Sequence, residues 1–499
     1  MIDLLFFVVA AALAAFGLYV RRRRQPPLPP GPTPRWWSGN LHQLPSSHPW
    51  KTYAEWGHLY GPVTSFRVHT TTTVVLNTLK AASDLFDSRS SIYSDRPVQW
   101  MYTELAGRRL TAFSILASHP WFKRYRKTMH SGLNPRPTRA YRPIMQEHSR
   151  KMLLNFAVSP EQFVSHIRKN AASLILQISY GRTSEDQIDY FVKVVEDAVA
   201  TQAHLVRPGQ WLVNTYPILR FIPSWFPFAE FKRVAAYYKE QYKRVDSLLY
   251  TWAKDQIKTG DYVESFVSLN LRPDGISQEE DDILRWCSSA LYAGASDTTV
   301  GILISFVLLM TLHPEVQRRA QEEVDRVCEG RLPTWDDEPN MPYVGAMIKE
   351  VMRWNPVAPL GLPHVVTQDD MYEGYLIPKG VTVLANIWAI AHDETMYPSP
   401  FAFDPNRFLG PEPQFDPRKF VFGFGRRVCP GQHFAETSLF LNVSSLLAVF
   451  NIAKAVDEKG REIEPDVRWT SRLTSHAENF ACNITVRSPE LLESLARTD

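Results

Sequence analysis

The apolar pattern of the chain is lopsided from its first residues. Ile2 to Val20 is apolar except for Asp3, and Arg21 to Arg24 follow at once. About 19 such residues wound as a helix reach roughly 28 Å, enough for one membrane crossing. Positive charge after the apolar stretch is the order of a retained signal-anchor, with the arginines on the cytoplasmic side, rather than of a cleaved signal peptide. Residues 1–20 are therefore expected to form a transmembrane signal-anchor. Residues 21–32, which carry Pro26-Pro27-Leu28-Pro29-Pro30-Gly31-Pro32, are expected to form a basic stop and a stiff proline-rich hinge.

Downstream the periodicity changes. Pro62 to Leu79 is rich in Val and Thr and predicts strands of a small sheet. From Pro120 to about Lys258 the pattern is mainly helical, broken near Pro208-Gly209 and at Pro217 to Pro227. Around these breaks stand Trp211, Tyr216, Phe221, Trp225, Phe226 and Phe228, read either as loop packing or as a membrane-dipping or substrate-entrance surface. Asp281 to His313 predicts a long helix ended by Pro314, and Pro314–Cys328 and Pro342–Trp354 predict two more. Val381 to Ile390 reads as a buried strand, Pro398 to Phe420 as irregular, and about Gln432 to Val449 as helix. No linker divides residues 33–499, so a single large domain is expected, mainly α with a small β subdomain.

Composition narrows the class. The 499 residues are 44% hydrophobic and 21% charged, near the average for soluble proteins, which excludes a disordered, collagen-like or multi-spanning chain. Lys+Arg (55) and Asp+Glu (52) nearly balance, so no general basic surface points to nucleic acid. The four cysteines, Cys287, Cys328, Cys429 and Cys482, contain no C-x-x-C pair, which argues against a disulfide framework or a cysteine-rich zinc site.

One cysteine has unusual neighbours. Phe422-Gly423-Phe424-Gly425-Arg426-Arg427-Val428-Cys429-Pro430-Gly431 sets Cys429 between glycines, beside two arginines and before a helix. Gly425 and Gly431 permit tight backbone geometry and close approach by a flat ligand. Adjacent cations and a helix N-terminus are expected to favour thiolate.

The segment resembles the haem-binding signature of the cytochrome P-450 family, Phe-x-x-Gly-x-Arg-x-Cys-x-Gly, at Phe422, Gly425, Arg427, Cys429 and Gly431. The resemblance implies a haem-thiolate fold in which Cys429 is the axial ligand of haem iron and Arg427 pairs with a haem propionate. Thiolate ligation favours O–O cleavage. Three further patterns agree in order. Glu350-x-x-Arg353 and Phe403-Asp404-Pro405-Asn406-Arg407-Phe408 resemble the elements that form a structural Glu350–Arg353–Arg407 network, with Asn406 where an acid is commoner. Gly294-Ala295-Ser296-Asp297-Thr298-Thr299 resembles the oxygen-activation motif, with Ala295 where Gly is commoner. The resemblance gives Asp297 and Thr298 a catalytic proton relay. Arg126, in Phe122-Lys123-Arg124-Tyr125-Arg126, and His364 are implied as further propionate partners. Phe122 replaces the family's Trp, and adjacent Trp121 would compensate through a shifted register.

By position, Val357, Ala358, Leu360, Leu362, Leu473 and Thr474 are expected to line a substrate pocket, mostly apolar and suited to a lipophilic small molecule. The overall pattern is similar to fungal microsomal members that oxidise secondary metabolites or xenobiotics. It implies a monooxygenase using O2, monomeric and single-pass in the endoplasmic reticulum membrane, with its catalytic domain facing the cytosol. No nucleotide-binding glycine motif is evident, so an NADPH-dependent cytochrome P-450 reductase is the implied electron donor, with Arg426 as one docking cation. Two rival readings are a haem-thiolate isomerase or dehydratase that needs no O2, and a non-catalytic haem-binding membrane protein. The Asp297-Thr298 pair argues against the first. An anchor that faces a reductase argues against the second.

Overall fold

The computed structural model describes residues 26–183, 190, 204–206, 209–272 and 275–497. The expected anchor at 1–20, residues 21–25 of the hinge and Pro208 lie outside the described residues. The central element is the helix Gln278–Leu312, about 52 Å long at 1.5 Å per residue. Ser277 opens it: its side chain accepts from Glu280 N while Glu280 reaches back to Ser277 N, a capping box. His313 and Pro314 close it. The helix is long and apolar enough to cross a membrane, yet most of its apolar stretch is buried inside the protein. It packs on Trp121–Leu133, Phe163–Tyr180, Pro342–Trp354 and Gln432–Val449. The main apolar core surrounds it.

A four-stranded sheet flanks this helical body. Strand β1 (Val63–Val68) pairs antiparallel with β2 (Thr71–Leu76). Along its other edge β2 runs parallel to Thr382–Ala385, which pairs antiparallel with His364–Val365. The continuous strand expected over Val381–Ile390 is instead a strand and a short helix, Ile387–Ala391. Asn386 is the reason. Its side chain accepts from Ala389 N, capping the helix, and donates to Trp50 O and Asn77 Oδ1 at 2.9 Å each. The helices Pro314–Cys328, Pro342–Trp354 and Gln432–Val449 begin and end where the sequence places them.

The aromatic stretch around Pro217–Pro227 divides between the two readings: Trp211 packs on a small core cluster, while the aromatic residues nearer Pro227 are open. Trp225 is 80% exposed, Phe228 79% and Phe221 69%. Trp37, just after the hinge, stacks on Tyr216 at 6.4 Å, so the hinge exit and this stretch share one apolar face.

Candidate functional site

The loop before Gln432–Val449 is built around Cys429. Phe424 extends into a single 3-10 turn, Gly425–Arg427, and Cys429 N donates back to Phe422 O at 2.8 Å. Gly425 is required: its φ is +53°, and a Cβ there would lie 2.0 Å from Phe86 O. Its N–H donates to Asp87 Oδ1 at 2.6 Å. Gly431 is not under such backbone demand, since a Cβ there would meet only Cys429 Sγ, at 3.9 Å. Phe422 packs on the main core. Burial pushes the Cys429 thiol up, and this outweighs the opposing pull of Gly431 N–H and Arg126. A group that favours thiolate must therefore bring positive charge of its own, as a bound metal does.

Three arginines from separate parts of the chain converge at this loop. Arg126, on Trp121–Leu133, donates to Val428 O at 2.9 Å. Arg427 donates to Ser94 O at 2.8 Å and to Ile115 O. Arg96 donates to Leu362 O at 2.9 Å and Pro363 O at 2.7 Å, and its Nε is buried without a partner. Burial lowers the pKa of all three, Arg427 to about 10, and Arg96 is pushed well down by burial and by Arg427. Among the described residues none of the three makes an ion pair with a carboxylate. Three guanidiniums, Arg96 buried and Arg126 and Arg427 half-buried, bonded only to carbonyl oxygens among the described residues, fit an anionic ligand with two carboxylates, as haem is. Arg96 was not singled out from the sequence, because no motif marks it.

His364 reaches the same place differently from expectation. It is buried, stacks on Phe86 at 4.1 Å, and its Nδ1 lies 2.6 Å from Tyr93 O. A carbonyl only accepts, so Nδ1 carries the proton of the neutral ring and Nε2 has none to offer. Burial, with Arg96 nearby, pushes the imidazole well below its ordinary pKa, so the neutral form prevails. His364 is thus a weaker anion partner than the arginines. Phe122 has a distinct role: the Arg427 guanidinium stacks on its ring at 4.2 Å. Trp121 does not take over the missing indole, because its Nε1 donates to Glu279 on the rim of the central helix.

The Glu350–Arg353–Arg407 network is formed. Arg353 Nε and Nη2 donate to Glu350 at 2.7 and 2.8 Å, and Arg407 Nε donates to it at 3.0 Å, all three residues being buried. Asn406 lies outside the network, as expected, and accepts from Arg319.

On the central helix, residues 293–298 are partly accessible while 299–311 are buried. The motif therefore lies where the buried part of the helix gives way to its accessible part. Thr298 Oγ1 donates to Gly294 O at 2.8 Å, the back-bond that competes with helix hydrogen bonding. Asp297 Oδ2 accepts from Thr474 Oγ1 at 2.6 Å. Ala295 packs on the main core. Of the expected pocket residues, Val357, Ala358, Leu360, Leu362 and Thr474 are half-buried. Leu360 packs toward the sheet, and Leu473 is exposed.

Comparison with known proteins agrees with this arrangement. The cytochrome P-450 family model matches residues 29–477. The chain is 40% identical to cytochrome P-450 monooxygenase claR of Ampulloclitocybe clavipes over 95% of its length and 89% of the relative's. It is 38% identical to cytochrome P-450 monooxygenase 208 of Postia placenta, over 96% of this chain and 94% of that one. Tryptamine 4-monooxygenase of Psilocybe cyanescens is 35% identical over 96% of each chain. The unpaired arginines, the cysteine loop and these likenesses agree: the chain belongs to the cytochrome P-450 family of haem-binding monooxygenases.

Proposed function

We propose that this protein inserts one atom of O2 into a lipophilic small molecule of secondary metabolism, with Cys429 as the iron ligand of its haem. The observation that carries the reading is the set of three arginines around the Cys429 loop, one buried and two half-buried, none of them ion-paired with a carboxylate among the described residues. Arg96, Arg126 and Arg427 would hold the haem propionates, and Phe122 would keep the Arg427 guanidinium flat against it. Bound haem supplies the oxygen-activating chemistry, and a thiolate ligand favours O–O cleavage. Replacing Arg96 by Leu should then lower haem occupancy, measured as haem absorbance per protein. Occupancy equal to the native chain would remove Arg96 from the haem site.

Asp297 and Thr298 move the protons. Asp297, held as a carboxylate, takes up protons from solvent, and Thr298 Oγ1 passes one on toward O2. Its present donation to Gly294 O leaves its lone pairs free to accept the replacement. Thr298→Ala should yield less product and more peroxide per NADPH by about tenfold or more. Unchanged coupling would refute the relay. An apolar pocket around Val357 and Leu362 suits an aromatic or terpenoid substrate, and the tryptamine named for one relative falls in this size range.

Electrons come from an NADPH-dependent flavoprotein reductase. Attachment is to the endoplasmic reticulum membrane by residues 1–20, with residues 33–499 in the cytosol and Trp37, Phe221, Trp225 and Phe228 touching the same bilayer. Deleting residues 1–24 should release the protein into alkaline carbonate extracts. Release of the full-length chain by the same treatment would contradict the anchor.

A further inference from the structure

The loop Thr470–His476 meets the central helix at the acid of the relay. Thr474 Oγ1 donates to Asp297 Oδ2 at 2.6 Å across 177 positions of sequence. His476 Nε2 stands 3.3 Å from the same oxygen, within ion-pair range though not aligned for a hydrogen bond. Both contacts fall on Oδ2. Among the described residues no hydrogen bond reaches Oδ1.

The loop is itself fixed. Ser475 N donates to Val357 O at 2.8 Å, Thr470 N to His476 O at 2.8 Å, and His476 N to Thr470 Oγ1 at 3.0 Å. Asn355 Nδ2 donates to Ser475 O at 3.4 Å. The buried imidazole lies against Gly301, one turn beyond Asp297. A Cβ at Gly301 would stand 2.9 Å from His476 Cδ2 and 2.9 Å from Val357 Cγ2. Glycine weakens a helix interior, so its place here is accounted for by the imidazole it admits.

We propose that Thr474 and His476 are positioning residues for Asp297, anchoring Oδ2 so that Oδ1 alone is left to exchange protons with the Thr298 side. This rests on the relay reading above. It assigns Thr474 to the acid rather than to substrate contact. Electrostatics agree. Burial pushes the Asp297 carboxyl up, but His476 and Thr474, with Arg168 farther off, more than offset it and hold it below its ordinary value. Among the described residues these three groups act on it.

The test uses the full-length, haem-loaded protein with its reductase and a probe substrate chosen by wild-type turnover from an aromatic and terpenoid panel. Thr474→Val keeps the side-chain shape and removes the donor. It should lower product per NADPH about tenfold and move the acid limb of the rate–pH profile to higher pH. Thr474→Ser should restore both. A second readout needs no turnover. A depressed folded pKa contributes stability above the unfolded pKa and loses it as pH falls through the folded one. The unfolding midpoint of Thr474→Val should therefore fall below wild type near neutral pH, and the gap should close in acid.

Thr474→Val with wild-type coupling and acid limb, or with a changed KM alone, overturns the proposal. A pH-independent stability gap does so too. Asp297→Asn separates the two levels. If it uncouples while Thr474→Val does not, the positioning role fails alone. If Asp297→Asn leaves coupling intact, the relay reading fails and takes this proposal with it.

Discussion

Glu350→Gln is expected to destabilise the protein by about 3–5 kcal/mol, the cost of removing one partner from a buried ion pair. Glu350 is fully buried and accepts four hydrogen bonds: two from Arg353, one from Arg407 and one from Asp404 N at 3.0 Å. Glutamine preserves the shape but removes the only carboxylate among these groups. It also turns an amide donor toward guanidinium donors. Domains of this kind have about 5–15 kcal/mol in total, so the loss is a large share of it. Urea unfolding measures it. An exposed pair gives the contrast: breaking Lys80–Asp84, whose side chains are 71% and 37% accessible, should leave the unfolding midpoint close to wild type. A Glu350→Gln change as small as that would mean the network is not the counter-charge system described.

Cys429→Ala is expected to abolish turnover, while Ala at Cys287, Cys328 or Cys482 leaves it near wild type. All four thiols are pushed up by burial, Cys328 to about 11 and Cys482 to about 12. Thiol acidity alone therefore does not single out Cys429. Its surroundings do: Arg126 and the Gly431 N–H both act on its sulfur and oppose the effect of burial. Cys287 and Cys328 are packed into the main core, where Ala costs about 1 kcal/mol or so in lost packing. Haem content and turnover of the four Ala variants measure the difference. Turnover by Cys429→Ala at the wild-type rate would remove the residue from the chemistry.

Local signals read well from the sequence where punctuation is strong. Pro at the first turn of Pro314–Cys328 and of Pro342–Trp354 fixes where those helices begin. Gly425 was legible because a tight turn beside a buried segment demands it. Val381–Ile390 misled because a short apolar run does not distinguish strand from helix, and Asn386 was the overlooked cap. The burial that pushes the Cys429 thiol up was not legible: adjacent arginines suggest acidity, but burial depends on what folds over the loop. Arg96 and His476 carry no local pattern. Tertiary folding alone brings Pro363 O to 2.7 Å from Arg96 and Asp297 to 3.3 Å from His476.

The assignment of Cys429 to haem iron carries the functional account, and one spectrum tests it. The reduced, CO-bound protein should show the red-shifted Soret band of thiolate-ligated haem, and Cys429→Ala should lose it. A Soret band of folded wild-type protein at the unshifted position of histidine-ligated haem would contradict the account.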